Sequence, residues 1–297
     1  MMKQFLAGQS SLLMLLVTLL IPVQSLKAEL FWTYEKDGQK GYLMGSVHFA
    51  NQSFYPLDKK ILDAYGRSSV LVVEVDEETV SEDERQRLIA ENGFYANNQT
   101  MKDHLSPKTL SIIESLLKEF GIPLEAVKNY QPGLLAITIT ALQAEKLGYK
   151  ADQGIDQYFI QKARYKKKIR QIEDFAFQMA LLTNLPADDE ILQDSFKDMS
   201  DYKATWSAMM SAWKRGDGDE LYKQAIGDPL NDYPKLAGFF DVLFFDRHPR
   251  MANSANQCVK NQEICFIVVG AGHMLGEKGI VAELIRQGYR VTQLQSK

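Results

Sequence analysis

Two short apolar runs, one near each end of the chain, are each followed directly by a Gly-x-x-His motif. The motifs occupy residues 45–48 and 270–273, and their last residues, His48 and His273, are two of the four histidines in the chain. Each run is typical of a β-strand, and a glycine turn after a strand directs the next side chains over the edge of the sheet. Since sites in α/β folds form at that edge, the two imidazoles predict a metal site or an acid/base pair. The alternative is that each histidine only hydrogen-bonds a loop.

A carboxylate is expected at the same edge. Residues 70–76 alternate with the period of a β-strand, which places Val72, Glu74 and Asp76 on one face. A carboxylate within an apolar strand is costly to bury without a partner. Glu74 stands late in the strand, so we expect it to reach the histidines; the alternative is a solvated strand end.

The rest of the chain predicts an α/β (α+β) fold. Residues 29–49 have the pattern of a β-hairpin around an Asp-Gly turn, and residues 264–294 that of a βαβ element. Residues 100–250 are mostly helical, with a short strand that ends at Glu173. We therefore expect a central mixed sheet flanked by helices, with a helical insertion at about 100–250, in a single domain over residues 29–297.

The composition excludes some classes of protein. The 297 residues carry a net charge of −4, with 45% hydrophobic and 24% charged residues, which is typical of a globular protein. No face is basic enough to predict nucleic acid as a partner. The basic cluster at residues 164–168 indicates a solvated loop or a contact with a partner.

The N-terminus has the pattern of a secretory signal peptide. Lys3 precedes an uncharged, nearly all apolar run at residues 12–23, and small or apolar residues follow. We expect residues 1–28 to be this segment, cleaved near Ser25 or Ala28, and the protein to be exported, either periplasmic or secreted. The apolar run is short for a bilayer span, so contact with a membrane is expected only if the segment stays uncleaved.

Two further features precede the second Gly-x-x-His motif. Cys258 and Cys265 can form a disulfide in an exported protein, and are otherwise free thiols. Arg247 stands directly before His248. A guanidinium at this position can bind an oxyanion or a carboxylate, or it can form an ion pair with Asp246.

The chain resembles the TraB/GumN family, which is related to the Tiki metalloproteases. The resemblance covers nearly all of the chain after the signal segment, and it is carried by the two Gly-x-x-His motifs and Glu74. Asp156 within Gly-Ile-Asp, Glu173 after a strand, and the arginine segment at 247–252 fit other parts of the family pattern. One position departs from that pattern: the family usually has asparagine after the arginine, where this chain has His248.

The resemblance implies a chemistry for these residues. The corresponding histidines and glutamate of Tiki proteins are regarded as a metal-dependent peptidase site that favours manganese or cobalt. By this likeness His48 and His273 would be metal ligands and Glu74 a ligand or the general base, and Arg247 would stabilise a developing oxyanion. The further site residues in this interpretation are Asp156, Glu173 and His248.

The implied function is that of an exported metal-dependent peptidase or related hydrolase. Its cofactor would be a divalent metal ion, manganese or cobalt by preference with zinc as an alternative, and its substrate a peptide or an exported protein. The alternative is a non-catalytic periplasmic protein of the same family that binds a peptide or another ligand. The sequence predicts neither the exact substrate nor the oligomeric state.

Overall fold

A computed structural model describes residues 29–183, 189–198 and 202–294 of the protein. The expected signal segment, residues 1–28, lies outside the described residues. The strands are β1 (Phe31–Lys36), β2 (Gln39–Ser46), β3 (Val70–Val73), β4 (Lys168–Gln171), β5 (Cys265–Gly270) and β6 (Arg290–Gln293).

Helices surround these strands. Those before β4 are α1 (Lys59–Arg67), α2 (Glu82–Gly93), α3 (Met101–His104), α4 (Pro107–Lys118), α5 (Pro132–Lys146) and α6 (Ile155–Ala163). Those between β4 and β5 are α7 (Phe175–Thr183), α8 (Asp189–Asp198), α9 (Tyr202–Arg215), α10 (Gly218–Tyr222), α11 (Asp228–Asp232), α12 (Ala237–Leu243) and α13 (His248–Lys260). After β5 come α14 (Ala271–Met274) and α15 (Ile280–Arg286). None of the described helices is long and apolar enough to cross a membrane.

The described strands form a mixed sheet in the order β4-β3-β5-β2-β1-β6. The strands from β4 to β2 in this order are parallel to one another, whereas β1 is antiparallel to both β2 and β6. The expected hairpin is confirmed, with a turn at Asp37 and Gly38 whose φ angles are 51° and 75°. The α/β (α+β) class and the central mixed sheet flanked by helices are confirmed as well.

The central strands are apolar along their length because both of their faces are covered. β3 and β5 are fully buried, as expected for parallel strands with helices on both sides. Phe266 of β5 is packed on one face, where its ring centroid lies 4.7 Å from that of Phe159 in α6 and 5.6 Å from that of Tyr65 in α1. Each such buried side chain stabilises the fold by roughly 1.5–3 kcal/mol.

The strand order places the two glycine turns side by side. β2 and β5 are neighbours, with Ser46 opposite Gly270. β3 pairs with the other side of β5, with Val73 opposite Val268. The C-terminal ends of these three parallel strands therefore lie at one edge of the sheet, which is where ligands bind in folds of this kind.

The structure corrects the expected course of the strand that contains Glu74. β3 ends one residue before Glu74 rather than at Asp76, and the chain bends there. The backbone carbonyl of Glu74 accepts hydrogen bonds from the amides of Ile172 and Glu173. Asp76 has a different partner, since Arg164 donates two hydrogen bonds of 2.8 Å to its carboxylate. The period of two fails here because each acid is turned towards a cation from another part of the chain.

The two strands of the last strand–helix–strand unit are not neighbours in the sheet, although the sequence pattern suggested a simple βαβ element. β5 and β6 run in the same direction with α15 between them in the chain, but β2 and β1 lie between them in the sheet. Periodicity gives the order of elements along the chain and not their neighbours in a sheet. The expected disulfide between Cys258 of α13 and Cys265 of β5 is formed.

The helical region between β3 and β5 has apolar clusters of its own. One of them contains Ile113 of α4, Leu135 of α5 and Phe196 of α8, and a smaller one contains Phe240 of α12. The expected insertion is therefore present, but β4 interrupts it and returns to the sheet beside β3. This return carries Glu173, which follows β4, to the edge where the glycine turns lie.

Candidate functional site

Three of the expected side chains meet over Gly270, the last residue of β5. A Cβ atom on Gly270 would lie 3.3 Å from Oε1 of Glu74, 3.4 Å from Nε2 of His48 and 3.5 Å from Cδ2 of His273. A larger residue here would enter the space between these groups. The other expected residues are joined to these three by hydrogen bonds, and all seven together are called the strand-end cluster below: His48, Glu74, Asp156, Glu173, Arg247, His248 and His273.

The carboxylate of Glu74 is buried and is bound from several directions. Oε1 accepts a hydrogen bond of 2.6 Å from the backbone N–H of Gly270, and Oε2 accepts one of 2.7 Å from Nη2 of Arg247. Burial acts to raise the pKa of Glu74, but the neighbouring imidazoles, the guanidinium and the backbone N–H outweigh it, so the pKa lies below its usual value. Glu74 is therefore ionised at neutral pH and can bind a cation or accept a proton.

Arg247 is buried, and all five of its N–H groups are engaged. Nε and Nη2 donate to the carboxylate of Glu173 at 3.0 and 2.7 Å, and Nη2 also donates to Glu74. Nη1 donates to the carbonyl of Leu243 at 2.8 Å and to Nε2 of His273 at 3.2 Å. A guanidinium bound in this bidentate way is held rigidly. The oxyanion role expected for Arg247 would require one of these hydrogen bonds to open.

His48 is the most exposed member of the strand-end cluster. Its side chain is 59% exposed, and its Nδ1 is hydrogen-bonded to Oδ2 of Asp156 at 2.5 Å. Asp156 can approach because Gly154 precedes it in the loop, where a Cβ would lie 2.5 Å from the carbonyl oxygen of His48. The charge of Asp156 raises the pKa of His48 above its usual value. Without a bound metal ion the imidazole of His48 is therefore a cation at neutral pH. Its Nε2 lies on the side of Gly270 and Glu74.

His273 is buried and neutral, and its tautomer follows from its partners. A guanidinium only donates, so Nε2 of His273 accepts from Arg247 and the ring proton lies on Nδ1. Nδ1 then donates to Nε2 of His248 at 3.1 Å, and Nδ1 of His248 donates to the carbonyl of Lys278 at 2.7 Å. Burial lowers the pKa of both rings, that of His273 to about 3. This arrangement turns Nε2 of His273 towards Glu74, whose Oε2 lies 3.8 Å away.

The strand-end cluster has more negative than positive charge. It contains three carboxylates, two of them buried, against the guanidinium and the imidazolium of His48. Buried charges are stable only with partners, so a divalent cation in place of the His48 proton would balance this excess. Its donors would be imidazole nitrogens and a carboxylate oxygen, the set that suits manganese, cobalt and zinc. In type and in charge these residues therefore fit a divalent metal ion.

The distances between the donor atoms are longer than a bound ion requires. Ligands of one zinc ion lie about 2.0–2.2 Å from it and hence within about 4.4 Å of one another. Donor atoms of His48, Glu74 and His273 do not all lie within 4.8 Å of one another. Binding of one ion by all three would therefore draw these side chains together and would separate Nε2 of His273 from Arg247.

A second group of potential metal ligands lies elsewhere in the described part of the chain. Sulfur atoms of Cys258 and Cys265 and a carboxylate oxygen of Glu263 lie within 4.8 Å of one another. The two sulfurs are joined in the disulfide, so the group has no thiolate to offer. It therefore does not compete with the strand-end cluster as a candidate metal site.

Two residues that support the cluster were not indicated by the sequence. Gln178 of α7 donates to the carboxylates of both Glu74 and Glu173, at 3.3 and 3.2 Å. The indole N–H of Trp213 donates to the carbonyl of Gly45 at 2.8 Å and so fixes the start of the first Gly-x-x-His turn. Gln178 stands alone in an apolar stretch of α7, and such an isolated amide is a signal that could have revealed it. Trp213 gave no such signal, because buried tryptophans occur in any core.

Comparison with known proteins gives relatives over almost the whole chain. The model of the TraB/PrgY/gumN family matches residues 30–293. The uncharacterized protein YbaP of Escherichia coli (strain K12) is 25% identical over 255 residues, which cover 82% of this chain and 87% of YbaP. The protein of the same name from Shigella flexneri is also 25% identical over 255 residues, with the same coverage. No solved structure gives a significant match.

Proposed function

The chain belongs to the TraB/PrgY/gumN family, and from this premise we propose that it is a metal-dependent peptidase or a related hydrolase whose reaction centre is the strand-end cluster. One observation supports this proposal most. The imidazoles of both Gly-x-x-His motifs have Nδ1 bound by a partner, Asp156 or His248, and have their other ring edge towards Glu74. Imidazoles oriented in this way beside a carboxylate are typical of hydrolytic metal sites.

Each residue of the cluster has a role in this proposal. Nε2 of His48, Nε2 of His273 and the carboxylate of Glu74 would hold the ion, with manganese or cobalt favoured and zinc as an alternative. A bound ion of this kind polarises a peptide carbonyl and lowers the pKa of a bound water. Asp156 accepts the Nδ1 proton of His48, and His248 accepts that of His273, so Nε2 of each ring is the atom that would offer its lone pair to the ion.

Binding of an ion would also give Arg247 a role. Its Nη1 donates to Nε2 of His273, and this acceptor would be lost if that nitrogen held a cation. Nη1–H would then be able to donate to the oxygen of a scissile carbonyl, where negative charge develops. The two hydrogen bonds to Glu173 would keep the guanidinium in place while Nη1 changes its partner.

A second function is that of an exported protein which binds a peptide or another ligand without cleaving it. Two observations favour it. Every N–H group of Arg247 already has a partner within the protein. The donor atoms of the cluster are also farther apart than in a formed metal site. In both functions residues 1–28 are a signal peptide and the protein is periplasmic or secreted.

Metal binding tests the first function directly. The protein is titrated with manganese, cobalt and zinc, and the bound ion is counted by mass spectrometry after dialysis. We expect one ion per chain, with an affinity that falls at least about 100-fold in His48→Ala and in His273→Ala, because loss of a ligand costs more than loss of a residue behind it. His104→Ala is the matched control, since His104 is exposed and stacks on Tyr95 away from the cluster.

Hydrolysis is measured separately with a quenched fluorescent peptide library and each added ion. Cleavage that requires the ion and disappears in His48→Ala supports a peptidase. If no ion raises hydrolysis above that of His48→Ala, the peptidase function is wrong. Tight binding of a peptide by the protein without any ion would then support the second function.

A further inference from the structure

A groove of about 540 Å³ opens beside the loop that follows His48. We call it the tyrosine groove, and it is lined by Gln52, Tyr55, Pro56, Asp152, Gln153, Tyr158 and Gln161. None of these residues belongs to the strand-end cluster. The groove is therefore a separate feature of the surface.

The tyrosine groove and the strand-end cluster share a wall. The hydroxyl of Tyr55 donates to the backbone carbonyl of Gln153 at 2.7 Å. The next residue, Gly154, is packed so closely that a Cβ on it would lie 2.5 Å from the carbonyl oxygen of His48 and 2.6 Å from Oδ1 of Asp156. The short segment from Gln153 to Asp156 thus lines the groove at its first residue and, at its last, provides the partner of the His48 imidazole.

The groups in the groove match those of an extended polypeptide. Its three glutamine side chains carry donors and acceptors as a peptide bond does. Gln52 donates to Gln153 at 3.5 Å, and in the described part of the chain the carbonyl oxygen of Gln52 and the amide N–H groups of Gln153 remain for a ligand. The rings of Tyr55 and Tyr158 have centroids 5.1 Å apart and are tilted by 36° to each other, and together with Pro56 they give the groove an aromatic and apolar part. Aromatic surfaces of this kind bind extended, proline-containing segments in several recognition domains.

Polar groups on α6 in the groove are available to a ligand. The hydroxyl of Tyr158 and the side-chain amide of Gln161 have no hydrogen-bond partner among the described residues, and the two positions lie on one face of the helix. The groove lining also contains one carboxylate, that of Asp152. A carboxylate there disfavours phosphates and other anions and favours a basic side chain or an amino group.

We propose that the tyrosine groove binds the part of a peptide substrate that lies on the His48 side of the bond to be cleaved. This inference rests on the function proposed above, since it assumes that the strand-end cluster acts on peptides. An apolar side chain or a proline contacts the two tyrosine rings, and the glutamine amides pair with the peptide backbone. A basic or neutral residue lies next to Asp152.

Peptide selection on the ion-free protein tests this site. A phage-displayed library of dodecapeptides is selected against the full chain after treatment with a chelator, and the enriched peptides are synthesised with a fluorescent label. Their affinities are measured by anisotropy for the wild type, Tyr158→Ala and Gln161→Ala. Tyr165→Ala is the matched control, because Tyr165 is fully exposed just beyond the same helix and outside the groove.

We expect Tyr158→Ala to weaken binding roughly tenfold or more, as for an aromatic anchor at an interface, and Tyr165→Ala to leave it unchanged within about twofold. Gln161→Ala should weaken binding less, and it keeps the test valid if Tyr158→Ala does not fold. Selection against Asp152→Lys should enrich acidic in place of basic residues. A library that yields no binder, or binders that Tyr158→Ala and Gln161→Ala both retain at full affinity, would overturn the proposal.

The outcomes separate this inference from the proposed function. Peptides that need Tyr158, in a protein that cleaves nothing with any ion, support the groove and contradict the peptidase. Ion-dependent cleavage whose KM is the same in the wild type, Tyr158→Ala and Gln161→Ala supports the peptidase and contradicts the groove. A raised KM with an unchanged kcat in Tyr158→Ala supports both.

Discussion

The two Gly-x-x-His turns have the same sequence pattern and opposite surroundings. The side chain of His48 is 59% exposed and lies beside Asp156, whereas that of His273 is 6% exposed and lies between Arg247 and His248. The charge of Asp156 raises the pKa of His48, and burial lowers the pKa of His273. One motif thus gives a cation and the other a neutral base.

The difference arises in the residues that follow each glycine. After β2 the chain continues as a loop that is bound to the start of α6, where the amide of Ile155 donates to the carbonyl of Val47. After β5 it enters α14, and the ring of Phe244 covers His273 at a centroid distance of 5.0 Å. The motif therefore specifies a position at the sheet edge, and its neighbours specify the protonation state. In the proposed function a divalent cation would replace the proton of His48 and use the lone pair of His273.

The largest effect on stability is expected from removing the charge of Arg247 beside the buried His273. Arg247→Leu leaves the carboxylates of Glu74 and Glu173 buried without a cation, which should lower the free energy of unfolding by about 3–5 kcal/mol. Denaturant unfolding of the ion-free protein measures it. Arg250→Leu is the matched control, because Arg250 is exposed and only lies over the ring of Phe177 at 4.5 Å. Equal effects of the two substitutions would show that the buried ion pairs do not stabilise the His273 side.

A smaller effect is expected from the partner that sets the His273 tautomer. His248→Leu leaves the Nδ1–H of His273 without an acceptor in a buried site, at a cost of about 1–3 kcal/mol of unfolding free energy. His248→Asn should cost less, because its amide oxygen can accept the same hydrogen bond. Unfolding of the two variants under one set of conditions compares them. An asparagine variant as unstable as the leucine variant would contradict the tautomer assigned here.

The smallest effect on stability is expected on the exposed side. The charge of Asp156 raises the pKa of His48 from 6.5 to about 9, so Asp156→Asn should return it towards 6.5 while His273 stays neutral, as followed by NMR titration of the imidazoles. A pKa that is higher in the folded state stabilises the protein below the unfolded value, and this contribution is lost as the pH rises through the folded value. Because the ring is largely exposed, it should amount to less than about 1 kcal/mol.

The pH dependence provides the check on that prediction. The difference in unfolding free energy between the wild type and Asp156→Asn should be largest near about pH 6 and should vanish above about pH 9. A difference that grew with pH would mean that His48 is neutral in the ion-free protein. The contrast between the two Gly-x-x-His turns would then be lost.

Local patterns were sufficient for much of the fold and for the members of the candidate site. The turn at Asp37 and Gly38, the strands before both glycine turns and the helical insertion were predicted from periodicity and turn residues. The extension of β3 to Asp76 was wrong. The strand ends at Val73, and Glu74 and Asp76 are turned towards Arg247 and Arg164, which lie far away in the sequence. Gln178 and Trp213 were missed for a related reason, since their importance lies in contacts with distant segments.

By itself the sequence determined which side chains stand at the ends of strands, because alternation and glycine turns are encoded in neighbouring residues. Only the tertiary structure decided that β5 lies between β3 and β2, which brings the N–H of Gly270 to Glu74 and sets both imidazoles beside it. It also decided which imidazole is paired with an acid and which is buried next to a guanidinium. Strand order and long-range pairing depend on how whole elements pack, and no local period carries that information.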